Sequence, residues 1–217
     1  LDIPITPCIA TSFVFLHNYF ATNKTTKYPL RITLAASLFL ACKTCEMYRR
    51  INQIYQELSK TAVALTKRIP KEFIECCLGE EIFVKNVLTT EEKDLLFPIE
   101  VELLDSVRWS FSFELPFDHI ASHGNLFNNL PLIAEEIDCV SQQILRNMCL
   151  MMRTPRYLVF NKETIAAAAI ESAFAGVLSE KCLKLDDSIY SWIQQTKEKN
   201  IKEFDAVTKY IAAKSKK

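Results

Sequence analysis

The stretch Tyr28-Pro-Leu-Arg-Ile-Thr-Leu-Ala-Ala-Ser-Leu-Phe-Leu-Ala-Cys-Lys43 has one cation near its start, Arg31, and one at its end, Lys43; between them it is apolar or small nearly all round. Pro29, with its fixed φ, suits a helix opening, and the alanines and leucines that follow propagate it. A helix apolar on every side belongs at a centre, with other helices packed around it. Residues 165–175 form a second stretch of the same kind, beginning Ile165-Ala-Ala-Ala-Ala-Ile170. Sliding the chain by 132 positions sets Tyr28 against Phe160, Ala35-Ala36 against Ala167-Ala168, Leu38 against Ile170 and Ala41 against Ala173. Each stretch is preceded by one amphipathic pattern and followed by two more, as in a duplicated helical unit with one buried helix per copy.

Outward from these centres the spacing stays helical. Ile9, Phe13, Leu16 and Phe20 mark a helix over 7–21 with Pro7 in its first turn, and Ile51, Ile54, Tyr55 and Leu58 mark another. Residues 61–89 are broken into short pieces by Pro70, Cys76-Cys77 and Gly79. Thr90-Glu91-Glu92 reads as a helix start, with Leu95, Ile99, Leu103, Leu104 and Val107 carrying on to Trp109; Pro98 should interrupt this helix unless the helix begins there. The alternation over 109–113 suits a short strand, though nothing nearby offers it a partner. Beyond it, helices are expected over 116–127 and over 132–152, the latter along Ile133, Ile137, Val140, Ile144 and Met148. Asn161 is an N-cap of a further helix, Asp186-Asp187-Ser188 starts another, and residues 200–213 close the series.

Composition agrees with helices. The chain has 217 residues and only 3 glycines, far below the usual share of about 7%, and hairpins and bulges need glycine for positive φ. Lys plus Arg and Asp plus Glu are 26 each, a net charge of +0, so no long-range field draws nucleic acid or an anionic membrane. The basic tail 209–217 reads as a solvated end. No apolar run is long enough for a membrane span, and the opening Leu1-Asp2 lacks the basic start of a secretory signal. Eight cysteines lie mostly within helical patterns; Cys8, Cys139 and Cys149 read as small buried hydrophobes in a reducing, intracellular setting.

The run from Tyr28 to Glu46 is similar to the third helix of the cyclin box, whose pattern is an alanine-containing apolar helix ending in a lysine, followed by paired glutamates. Ile9-Ala-Thr-Ser-Phe-Val-Phe-Leu-His-Asn-Tyr-Phe20 resembles the second helix of transcription-type cyclins. Glu100, Leu104, Trp109 and Pro116 repeat the spacing that cyclins of the C, K, T, L and Q classes carry. Val159-Phe160 and the helix from Ile165 resemble the matching part of a second box. The chain departs from the pattern at several points. The first helix of the first box is missing, Asn18 replaces an arginine that anchors a buried ionic contact, and Cys45 replaces the first paired glutamate. Pro98 is unexpected, and 61–89 exceeds the usual connection.

The resemblance implies an all-α fold of two tandem five-helix cyclin boxes, the first, over 1–113, lacking its first helix and the second over 114–217. It implies a regulatory subunit, not an enzyme, in a nuclear heterodimer with the catalytic subunit of a cyclin-dependent kinase linked to transcription, without a cofactor or metal and without direct contact to nucleic acid or membrane. It places kinase binding on Lys43, Thr44, Glu46, Glu100, Leu104 and Phe111. Lys43 also fits a purely structural part, since a cation offsets the dipole at a helix end, and leucines in helices are usually core. The alternative from another class is an adaptor like transcription factor IIB, which would need a basic surface for DNA.

No phosphate-binding loop or nucleophile elbow is present. Cys42-Lys43-Thr44-Cys45 spells CxxC, yet no second pair completes a tetrahedral zinc site, and a redox CxxC opens a helix where this one ends it. His119 and His123 are four apart, without carboxylates for metal chemistry. Asp186-Asp187 reads as a helix start rather than a catalytic pair.

Overall fold

The computed structural model describes residues 7–23, 27–85, 87–122, 132–181 and 185–215. Helices dominate it, and no strand occurs among the described residues. The chain divides into two compact units, 1–113 and 114–217.

The first unit contains α1 (Pro7–Thr22), α2 (Leu30–Thr44), α3 (Ile51–Leu65), α4 (Lys71–Leu78), α5 (Glu81–Val84), α6 (Thr90–Asp94) and α7 (Leu96–Ser106). Helix α2 is its centre, packing against α1, α3, α4 and α7. Ile32, Ala35, Ala36, Leu40, Ala41 and Cys42 are all buried on it. Small residues on a central helix let its neighbours approach closely, which is the physical reason for the alanines. Ser37 Oγ donates to the buried Ser12 carbonyl at 2.9 Å, tying α2 to α1.

The second unit contains α8 (Pro116–Ser122), α9 (Ala134–Met152), a 3-10 turn (Pro155–Leu158), α10 (Lys162–Lys181), α11 (Asp187–Lys199) and α12 (Ile201–Ser215). Here α10 is central, against α8, α9, α11 and α12, with every side chain from Ile165 to Ile170 buried. Asn147 Nδ2 on α9 donates to the Ala169 carbonyl at 3.1 Å. Positions 37 and 169 are the ones the 132-residue offset aligns. Where the second unit has alanine instead of serine, the neighbouring helix supplies the donor.

Caps end the helices where expected. Asn161 Oδ1 accepts from the Thr164 amide at 3.1 Å, and Asp186 Oδ1 from that of Ser188 at 2.9 Å. Thr89 and Glu92 form a reciprocal capping box at the start of α6. The segment from Thr90 to Trp109, in which the sequence marks Pro98 as the interruption, breaks slightly earlier, at Leu95, and its helix ends at Ser106. Its second half is α7, with Pro98 in the first turn, where a missing N–H costs little.

Four details of the sequence reading change. The segment 110–113 is irregular rather than a strand, because α7 ends in a turn with Arg108 at φ 53° and Trp109 at φ 56° and no edge lies beside it. Helix α1 is buried on most sides, and its inward face carries Phe15 and Tyr19 while Phe13 and Phe20 are half-buried; an apolar sequence all round gives periodicity no face to select. Cys139 is exposed and Cys149 half-buried, because Cys139 falls on the outer side of α9 next to the inward Val140. The basic tail is helical as far as Ser215, with Lys209 and Lys214 exposed on α12. Helix α8 is described to Ser122; the rest of the helix expected over 116–127, with His123, lies outside the described residues.

Candidate protein-binding surface

Lys43 occupies the last turn of α2. The helix stops there through a Schellman arrangement: the Glu46 amide donates to the Lys43 carbonyl at 3.1 Å and the Met47 amide to the Cys42 carbonyl at 2.8 Å. That geometry puts Glu46 at φ 57°, a conformation usually given to glycine. Glu100 stands on α7, just after Pro98. The two helices bring the side chains together, and Lys43 Nζ lies 2.7 Å from both Glu100 oxygens. The carboxylate is the more enclosed partner, at 14% side-chain exposure against 46% for the lysine.

Lys43 Nζ also sits 4.3 Å from the centre of the Phe39 ring, one turn earlier on α2. The cation is thus held between an aromatic face and a carboxylate, with part of it open to solvent. Beside it lies an open cleft of about 420 Å³ lined by Phe39, Cys42, Met47 and Tyr48 together with Lys43, Glu46 and Arg49. Leu104, one turn after Glu100, is half-buried against the core. Trp109 and Phe111, beyond the end of α7, remain 54% and 53% exposed, and Trp109 Nε1 donates to Asp105 at 2.6 Å. The three non-glycine residues at positive φ among those described are Glu46, Arg108 and Trp109. They stand at the ends of α2 and α7, the two helices that carry the ion pair.

Of the residues singled out in the sequence, Lys43 and Glu100 meet directly, with Thr44 and Glu46 next to them in the chain. The Thr44 hydroxyl donates to the Ala41 carbonyl at 3.0 Å, so it is committed to its own helix. Phe111 is solvent-facing and off the helix. Sequence reasoning missed Phe39, Met47 and Tyr48. An aromatic residue four before a lysine on one helix is the signal for Phe39; nothing local marks the other two.

A polar groove of about 730 Å³ runs along the C-terminal ends of α1 and α7, lined by Asn18, Thr22, Lys27, Glu102, Asp105 and Arg108 among others. Asn18 donates to the Val14 carbonyl at 2.9 Å, inside its own helix. Glu102 accepts instead from Lys27 and from the Tyr28 hydroxyl. Burial and this carboxylate push the phenols of Tyr19 and Tyr28 up.

The CxxC cysteines meet a third thiol: Cys8 of α1 packs with Cys42, and Cys45 Sγ contacts the Thr11 hydroxyl at 3.8 Å. Burial, with the neighbouring thiols, pushes Cys8 up to about 12, and burial raises Cys42 as well. Both are protonated at neutral pH and behave as packing groups. His119 Nε2 lies 2.8 Å from Glu114. No group of three His, Cys, Asp or Glu side chains among the described residues could hold a metal ion, and no described helix is long and apolar enough to cross a membrane.

No family model matches the chain, and a search of curated proteins likewise returns no match.

Proposed function

We propose that this chain is a cyclin-like regulatory subunit that binds and activates a cyclin-dependent kinase through the surface around Lys43 and Glu100. The observation that carries the reading is the ion pair itself: two side chains 57 residues apart, from two helices of one unit, converge at 2.7 Å on a half-exposed face. An exposed salt bridge adds little stability, on the order of 0–1 kcal/mol. A pair held that firmly beside an open apolar cleft, on a unit that also exposes two aromatics beyond the end of α7, has the composition of a protein interface, with apolar anchors and fixed polar groups. The matching packing around α2 and α10 supports two related helical units, as two cyclin boxes require.

In this reading Lys43 and Glu100 present a fixed donor and acceptor to the backbone at the kinase's mobile αC helix. Leu104, Trp109 and Phe111 give that helix an apolar seat. Pressing on αC aligns the kinase's own ion pair and frees its activation loop; phosphoryl transfer belongs to the kinase. The complex would be a heterodimer, acting in the nucleus on transcription.

The test is an affinity pull-down from nuclear extract, identifying the bound kinase by mass spectrometry and repeating it with Lys43→Ala plus Glu100→Ala. We expect the double substitution to weaken capture at least about tenfold with unchanged helicity. Full capture by the double variant would displace the interface, and recovery of no kinase by the unsubstituted protein would refute the reading.

A further inference from the structure

Helix α4 is apolar on two sides. Ile74 faces inward and is buried in the core of the first unit, with Leu78 packed beside it. Phe73, Cys76 and Cys77, at the i, i+3, i+4 spacing that forms one stripe, face outward. Phe73 is 62% exposed and both thiols are free and exposed. Val84, on the adjoining α5, is also exposed. A helix that merely caps a core needs one apolar face; a second, concentrated over one turn, is what a partner surface looks like.

Charge says what would cover it. Residues 71–81 hold one lysine against four glutamates, a net charge of −3. Lys71 is paired with Glu75 at 2.9 Å, and Glu81 is turned toward Arg31 at 3.6 Å. Glu72, one turn before Cys76, is exposed beside the apolar stripe, and Glu80, just past the helix, is exposed as well. A cationic occupant is attracted by this rim and an anionic one repelled. The stripe spans little more than one turn, so it suits a short segment rather than a large stable interface.

We propose that the outward face of α4 docks a short amphipathic segment of a partner protein, with an apolar anchor over Phe73, Cys76 and Cys77 and lysine or arginine beside it toward Glu72 and Glu80. This site is separate from the Lys43–Glu100 surface and does not depend on the function proposed for it.

The probes are two fluorescent helical peptides of leucine and alanine, one carrying lysine on its polar face and the other glutamate at the same positions, each titrated against the full chain. Alkylation of Cys76 and Cys77 by iodoacetamide, read by mass spectrometry, locates the bound peptide without any substitution. The lysine peptide should bind and slow alkylation of both thiols, and the glutamate peptide should do neither. Phe73→Ser should weaken binding at least about tenfold, and Glu72→Lys plus Glu80→Lys should abolish the preference for lysine. Three results would overturn the proposal: equal binding of the two peptides, binding that leaves both thiols reactive, or thiols already shielded in a self-associated form seen by sedimentation.

Discussion

Glu92 is an acid held in the interior by its neighbours. Its carboxylate accepts from Arg31 at 2.7 Å and from the Thr89 amide at 2.9 Å, with the glutamate and arginine side chains only 10% and 11% exposed. Burial alone would raise its pKa; the Thr89 amide and Arg31 outweigh burial and hold it below the usual carboxylate range. A folded-state pKa lower than the unfolded one gives stability that is complete above the unfolded value and is lost as pH falls through the folded value. Urea unfolding should therefore show a steep loss of stability below about pH 4.5, the unfolded carboxylate range. Glu92→Gln should cost about 1–3 kcal/mol at pH 7, by leaving the enclosed Arg31 with the longer contact to Glu81 at 3.6 Å as its ionic partner, and should flatten the acid limb. Parallel acid limbs for the two proteins would show that Glu92 does not govern it. The capping box could be read from Thr89 and Glu92 three apart. Arg31, 61 positions away, could not.

At the scale of the helix, the ends of α2 and α7 are costly in the same way. Both stop through Schellman bonds with a charged residue where glycine would be easier, Glu46 in one and Arg108 in the other. An L-residue in the left-handed region costs about 1–2 kcal/mol. Glu46→Gly should accordingly raise stability, by about 1 kcal/mol after the extra freedom of glycine in the unfolded chain is counted, as measured by chemical denaturation. On the proposed function the same change should weaken kinase binding, because Glu46 borders the Lys43 cleft. A destabilised variant would mean that the glutamate side chain contributes contacts that offset the strain. Contrast Gly79, at φ 81°, where an added Cβ would lie 2.7 Å from Glu81 and 3.1 Å from Arg31. There the backbone needs glycine and has it.

Across the whole molecule, each unit has its own central helix and its own core, so residues 114–217 expressed alone should fold into a helical unit with cooperative thermal unfolding by circular dichroism. Noncooperative melting would show that this unit relies on the first. The helical class, the two alanine-rich centres and the start of several helices are legible along the chain, because propensity, apolar periodicity and capping act within a few residues. Resemblance singled out Lys43 and Glu100 as residues of interest, without their mutual contact. Helix packing is what makes these two an ion pair, brings Cys8 to the CxxC, turns Phe15 and Tyr19 of α1 inward and keeps Phe73 of α4 in solvent. Those outcomes depend on how whole helices pack, and packing minimises the free energy of all the contacts together. A short window of sequence carries the signal for a helix but not the identity of the helix it will meet.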